Sequence, residues 1–279
     1  MIKKIAAITM VRNDNFFLHK WVDYYGEEFG RDNLFVYFDG RDQEIPDFCE
    51  GVNAFTVDKI GNTVRSSDKG RIKFISDKAQ QLFDKGYDLV VGGDADEYLV
   101  ADPLCYSSLK DYLNECEIKS SISGLGLDFG QKLPEEGALS LDSPFLSQRR
   151  FAQIGTRYTK ASVMGRPLEW GSGFHRIEGH NYHIPRNLYL MHFGYSDLGM
   201  IENRLSNADR LQQGWEKHMN KRKRTIRYAN TLPARDFDKI IGMARKIETI
   251  ARSPYAWNKP GLLGLKLMVR IPDRFRNSL

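Results

Sequence analysis

The sequence predicts an α/β chain. It has a mainly parallel central sheet flanked by helices over residues 1–200 and a helical, basic C-terminal extension over residues 201–279. Three observations predict this. Short apolar runs of strand length alternate with longer stretches of helical spacing through the first hundred residues, the pattern of parallel strands joined by crossover helices. Three of those runs end in polar residues or glycine, at Arg12-Asn13-Asp14, Asp39-Gly40 and Gly92-Gly93-Asp94. Beyond Ser196-Asp197 the spacing turns helical and the charge turns basic.

Residues 5–11 read as the first strand. Arg12-Asn13-Asp14-Asn15 break it and offer helix-capping side chains. Phe17, Leu18, Trp21, Val22 and Tyr25 then share one helical stripe. Residues 34–38 are the second strand and 54–57 the third. Ile72, Ile75, Ala79, Leu82 and Phe83 form the apolar face of a second helix within 68–85, closed by Gly86, which tolerates the left-handed conformation. Leu89-Val90-Val91 is an unbroken apolar run and reads as a strand buried on both faces. The middle third is less regular. Residues 120–127 suggest a strand ending in Asp128-Phe129-Gly130, and 133–147, with Pro134, Gly137 and Pro144, a loop able to cover a site. Residues 160–164 and 188–192 are short strand candidates. Leu198, Ile201, Leu205, Ala208 and Leu211 recur at helical spacing, Pro233 interrupts, and 237–251 is a further helix. Residues 260–279 set Leu262, Leu263, Leu265, Leu267, Met268 and Val269 against Lys266, Arg270, Arg274 and Arg276.

The chemistry gathers after the buried run, at Gly92-Gly93-Asp94-Ala95-Asp96-Glu97. In extended chain, residues two apart point the same way. Asp94 and Asp96 are therefore expected to converge at the carboxyl end of a buried strand, where open α/β sheets place their ligands. Two convergent carboxylates need a cation or a proton between them, and a hard divalent cation holding a phosphate is the simplest occupant. The plain alternative is a solvated turn. Arg71 lies near a helix start, where the dipole favours anions, so an anionic ligand would account for it. His192 ends the run Leu188-Tyr189-Leu190-Met191; it would complete such a cation's coordination or be a hydrogen-bonded core histidine. His175, His180, His183 and His192 match no zinc spacing. Glu169-Trp170-Gly171-Ser172-Gly173-Phe174-His175 suits a sugar pocket, with core packing the equal alternative for Trp170.

Bulk properties narrow the partners. Net charge is +5, with much of the excess in the last third. A basic tail can meet nucleic acid, an anionic membrane or an acidic polymer. There is no zinc-finger or RNA-binding signature, so no nucleic-acid partner is expected. No apolar run is long enough to span a bilayer, and the basic-then-apolar start reads as a strand rather than a signal peptide. Cys49, Cys105 and Cys116 are an odd number without metal spacing, which suggests a reducing compartment. A cytoplasmic protein is expected. Its amphipathic tail would either rest on the inner face of the cell membrane as a peripheral contact or pack back on the domain.

Several segments resemble the family-2-like glycosyltransferases of GT-A fold, in particular a small bacterial group with an Asp-x-Asp-Glu-Phe signature. These are Thr9-Met10-Val11-Arg12-Asn13-Asp14 with Leu18-His19-Lys20-Trp21-Val22-Asp23-Tyr24-Tyr25, Phe35-Val36-Tyr37-Phe38-Asp39, and Asp94-Ala95-Asp96-Glu97-Tyr98-Leu99. Weaker landmarks are Lys160-Ala161-Ser162-Val163, His175 and His192-Phe193-Gly194-Tyr195. Tyr98 stands where phenylalanine is usual, and Phe193 where tyrosine follows the histidine. The likeness spans residues 5–200 and leaves the tail uncovered. It implies transfer of a sugar from a nucleotide-diphosphate donor to a glycan or lipid-linked acceptor, in bacterial surface polysaccharide synthesis. By the same resemblance Asp39 holds the nucleoside with Arg12 and Asn13 nearby. Asp94 and Asp96 hold Mn2+ or Mg2+ on the diphosphate, His192 is a further ligand, and Arg71 adds a positive contact. An inverting enzyme needs a general base, for which Glu169 is the first choice and Asp128 and His175 the others. The competing class is a non-catalytic glycan binder or degenerate transferase. A nucleotidyltransferase is disfavoured, because Arg12-Asn13-Asp14-Asn15 stands where a glycine-rich loop is usual.

Overall fold

The computed structural model describes residues 2–61, 64–155, 157–177, 183–206, 216–251 and 266–279. His180, Ala208, Leu211 and the leucines at 262, 263 and 265 lie outside these, as does the side chain of Leu205. Strand β1 (Ile5–Val11) is buried along its whole length. It pairs in parallel with β2 (Leu34–Asp39) on one side and β4 (Leu89–Gly92) on the other, and β2 pairs in parallel with β3 (Asn53–Val57). Burial on both faces explains the unbroken apolar runs. One face of the sheet, with Ile5, Ala7, Val11, Leu34, Val36 and Phe38, shares a core with Phe17, Leu18, Trp21 and Val22 of helix α1 (Asn15–Phe29). The alternate residues Ala6, Ile8, Met10, Phe35 and Tyr37 share a second core with Ile72, Ile75, Ala79 and Leu82 of α2 (Val64–Asp84). Strand order in this half is β3-β2-β1-β4, so the winding reverses between β1 and β4. The crevice at the carboxyl ends of those two strands is the place where such sheets bind ligands.

The expectation of one mainly parallel sheet needs correction. The described residues build two six-stranded sheets. The first is completed by β9 (Val163–Met164), antiparallel to β4, and β6 (Ser121–Ile122), antiparallel to β9. The second has the order β11-β12-β8-β7-β10-β5, from β5 (Glu97–Ala101), β7 (Leu125–Phe129), β8 (Phe151–Ile154), β10 (Leu188–His192), β11 (Arg235–Asp236) and β12 (Leu267–Arg270). Within it β7–β10 and β11–β12 are parallel and the other pairings antiparallel. The segment expected as one strand over 120–127 breaks at Gly124. A Cβ there would lie 2.5 Å from the Leu190 backbone nitrogen, so only glycine lets β10 pass this close.

Among the described residues the remaining helices are α3 (Leu109–Glu115), α4 (Phe145–Gln148), α5 (Leu198–Ser206), α6 (Glu216–Thr231) and α7 (Phe237–Ala251). The loop expected over 133–147 thus ends in a short helix. The extension is not wholly helical either: β12 pairs antiparallel with β8, and Arg274 reaches Asp102 at 2.8 and 3.0 Å. The part of the tail after residue 265 therefore packs back on the body. One core runs through both sheets, joining Ile5 and Val36 to Leu99, Leu127 and Leu190. The two departures from the resembled signature are accommodated within it. Tyr98 is fully buried and its hydroxyl donates to the Phe17 carbonyl at 3.1 Å, while Phe193 stacks on Phe129 at 4.3 Å. Among the described residues no helix is long and apolar enough to cross a membrane.

Candidate functional site

The first sheet hands over to the second at the acidic stretch. β4 ends at Gly92 and β5 begins at Glu97. Between them Asp94-Ala95-Asp96-Glu97 close a turn, the Glu97 N–H donating to the Asp94 carbonyl at 3.1 Å. Two bonds pin the turn from either side. The Thr9 hydroxyl of β1 donates to the Gly93 carbonyl at 3.0 Å, and the Phe193 N–H, just past β10, donates to the Asp96 carbonyl at 2.9 Å.

A turn does not point alternate residues the same way, and the two carboxylates meet different partners. Asp94 Oδ1 accepts from Arg71 Nη1 at 2.5 Å, and its Oδ2 accepts from Lys160 Nζ at 2.8 Å. Lys160 also reaches Glu97 Oε1 at 2.6 Å. Asp96 Oδ2 instead faces His192 Nε2 at 3.5 Å. Asp94, expected to converge with Asp96, is engaged by Arg71 and Lys160. Ligand atoms of Asp96, Glu97 and His192 lie within 4.8 Å of one another, and Asp94 serves two cations of the chain itself.

Electrostatics follow from this geometry. Burial would raise the Asp94 carboxyl, but Arg71 and Lys160 outweigh it and hold the group well below the usual carboxylate range. Burial opposes ionisation of Asp96 too, and the His192 imidazole overcomes it. Glu97 goes the other way: burial prevails over Lys160 and pushes it up to about 7. Burial would lower His192, but Asp96 and Asp128 raise it to about 9.

The ring of His192 is fixed on three sides. Its Nδ1 lies 2.7 Å from Asp128 Oδ1, and Tyr158 stacks on it with centroids 3.8 Å apart. Gly194 borders it as well. A Cβ at Gly194 would fall 1.9 Å from Asp96 Oδ2, so the absence of a side chain makes the space that this carboxylate occupies. Arg204 of α5 donates to the Gly194 carbonyl and to Asp14, both at 2.8 Å, and its charge also favours ionised Asp96.

The residues fit a divalent cation on three grounds. The donor set is two carboxylates and one imidazole. Glu97 Oε2 is buried with no hydrogen-bond partner. The far nitrogen of the imidazole is held by a carboxylate, the usual outer partner of a ligating histidine. Carboxylate-rich sites suit Mg2+ and Mn2+, and an imidazole is a ligand that the later divalent ions, such as Fe2+ and Zn2+, also take.

Arg12, Asn13 and Asp39 come together at the tips of β1 and β2. Arg12 Nη1 donates to the Asp39 carbonyl at 2.5 Å, and the guanidinium pairs with both oxygens of Asp42 at 2.9 and 2.6 Å. Asp39 Oδ1 accepts the Ile60 N–H at 2.7 Å. Asn13, at φ +52°, donates its N–H to Gln43 Oε1. The base candidates fare differently. Asp128 is committed to His192. Glu169 is exposed. His175 follows Phe174, whose ring lies 5.6 Å from the Arg71 guanidinium. Trp170 is core: it is buried, its Nε1 donates to the Ala161 carbonyl at 2.6 Å, and its ring fills the space that a Cβ at Gly92 would take.

Sequence reasoning missed Glu97 as a member of the cluster, together with Lys160, Tyr158, Arg204 and Thr225. Lys160 left a signal. A lysine next to Ala161-Ser162-Val163 in a strand-like run must find a counter-charge if the run is buried.

No family model matches the chain, and no curated protein matches it. A solved structure described as a candidate nucleotide-diphospho-sugar transferase from Desulfovibrio desulfuricans G20 aligns with 82% of this chain and 99% of its own length. The identity is 12% and the TM-score 0.30, a likeness too distant to carry weight for fold or function.

Proposed function

We propose that this chain is a metal-dependent glycosyltransferase of GT-A type, moving a sugar from a nucleotide-diphosphate donor to a glycan or lipid-linked acceptor. One observation carries the reading. Asp96, Glu97 and His192 converge within 4.8 Å beside the reversal point of a parallel β3-β2-β1-β4 sheet. Asp96, Glu97 and His192 would hold Mn2+ or Mg2+, and the bound ion supplies charge stabilisation to the departing diphosphate. Arg71 keeps 22% of its side chain exposed beside Asp94 and offers donors to a phosphate oxygen. Asp39 and Asn13, braced by Arg12–Asp42, receive the nucleoside at the tips of β1 and β2. Glu169 is the first candidate to take the acceptor proton and His175 the second. A place in surface polysaccharide assembly at the inner face of the cell membrane fits such an acceptor.

The test is a thermal-shift screen of nucleoside diphosphates and their sugars with and without Mn2+. Saturating diphosphate with Mn2+ should raise Tm by about 5 °C, since a ligand at a hundred times its Kd adds about 2.7 kcal/mol. EDTA or Asp96→Asn should abolish the shift. A shift that survives both overturns metal dependence, and no shift with any diphosphate overturns the donor class.

A second reading is favoured by the pairing of Asp94 with Arg71 and Lys160, which balances part of the acidic cluster without an ion. On that reading the chain is a degenerate transferase that binds glycan, and a glycan would shift Tm without metal or nucleotide.

A further inference from the structure

The imidazole of the acidic cluster is steered from the segment that the sequence places outside the main domain. His192 Nε2 faces Asp96, and Nδ1 meets Asp128 Oδ1. The second oxygen of Asp128, Oδ2, accepts the hydroxyl of Thr225 on α6 at 2.5 Å. Thr225 is 3% exposed and the Asp128 side chain 13%, so little water competes for this bond. A carboxylate held by one oxygen can still turn about its Cβ–Cγ bond. Held by both, its plane is fixed, and the ring it binds is fixed with it.

The approach of α6 is built into the backbone. Gly130 lies two residues beyond Asp128, and a Cβ there would come 2.7 Å from the Thr225 carbonyl oxygen and 2.8 Å from its carbon. Three further bonds hold the helix in this place. Asn230 Nδ2 donates to the Gln131 carbonyl at 2.9 Å, the Leu133 N–H donates to Asn230 Oδ1 at 2.8 Å, and Lys132 Nζ donates to the Ala229 carbonyl at 3.1 Å.

We propose that Thr225 is a positioning residue of the metal centre. Its hydroxyl fixes Asp128, Asp128 takes the Nδ1–H of His192, and Nε2 is left as the lone pair that a divalent cation shares with Asp96 and Glu97. The inference rests on reading those three residues as a metal site. It makes the C-terminal segment part of that site, a role that the resemblance, which ends near residue 200, does not supply.

The experiment is Mn2+ titration of the full chain, followed by the electron paramagnetic resonance of the free ion, with Tm recorded on each sample. The proteins are the wild type, Thr225→Val and Thr225→Ser. Outer-partner losses typically cost 10- to 100-fold in metal affinity. Thr225→Val keeps the shape and loses the donor, so its Kd for Mn2+ should rise about tenfold or more. Thr225→Ser keeps the donor and should stay within about twofold of wild type. Wild-type affinity in Thr225→Val overturns the proposal. So does an equal loss in Thr225→Ser, which would trace the effect to packing. If Thr225→Val does not fold, Thr225→Cys is read in its place: a weakened Mn2+ site supports the proposal, and an unchanged one overturns it. No Mn2+ uptake by the wild type overturns the metal reading itself and this inference with it.

Discussion

Lys160 shows how much a single residue can carry. Its side chain is 5% exposed, and its Nζ lies between Asp94 at 2.8 Å and Glu97 at 2.6 Å. Their charges raise its pKa above the ordinary value against the pull of burial. Removing one partner of a buried ion pair strands the others, at about 3–5 kcal/mol. Lys160→Met should therefore lower Tm by about 10 °C. Lys160→Met with Glu97→Gln should recover part of the loss, because the carboxyl left without Lys160 no longer has to take up a proton on folding. Calorimetry of the two variants checks this, and a double variant no more stable than the single one would show that Glu97 is not Lys160's partner in energy. At this scale the sequence told which residue types collect at the strand ends: the acids at 94–97, the arginine at 12, the histidine at 192. It did not tell which acid meets which base, because that depends on the turn at 94–97 and on a lysine sixty-odd positions away.

Helix α7 shows the same limit for an element. Its spacing identified it as a helix, but nothing in that spacing marks Glu248 as buried, at 1% exposure. Glu248 Oε2 lies 3.1 Å from Thr159 Oγ1, which also accepts the Gly126 N–H at 2.9 Å and lies 3.2 Å from the Gly155 carbonyl. A hydroxyl has one proton and two lone pairs. With Glu248 protonated, its O–H serves Oγ1 and the Thr159 proton serves Gly155, while the buried Oε1 is left without a hydrogen-bond partner, which also favours the uncharged form. Burial pushes Glu248 up to about 7. The sign follows: a carboxyl raised on folding stabilises fully below its unfolded value near 4.5, and that stability is lost as pH rises through about 7. Glu248→Gln should gain up to about 3 kcal/mol over wild type at pH 8 and nothing at pH 4.5. Tm measured across that range checks it, and parallel curves for the two proteins would contradict it. Strands were harder to foresee than helices. β12 is a four-residue piece whose partner β8 lies more than a hundred positions earlier, and pairing at that distance leaves no local trace.

For the molecule as a whole, the alternation of the first hundred residues did reveal the parallel half and its two flanking helices, but not the strand order β3-β2-β1-β4 or its reversal between β1 and β4. The second sheet stayed hidden because β5 is buried on both faces and reads as a continuation of the acidic strand rather than the start of a new layer. The candidate site spans this join, and its titration is a property of both sheets. His192, raised to about 9, stabilises the fold fully below about 6.5, and that contribution fades as pH climbs through 9. A cation taking Nε2 must displace a proton, so Mn2+ affinity should climb about tenfold per pH unit between 7 and 9. Titrations at pH 7, 8 and 9 test this; a flat profile would remove His192 from the coordination set.

Arg71 and Lys160 give the acidic turn a permanent counterweight made of the chain's own atoms. On the proposed metal reading, an acidic lip balanced in this way would hold its shape whether or not the ion is supplied, and assembly of the polypeptide would not have to wait for one to be delivered.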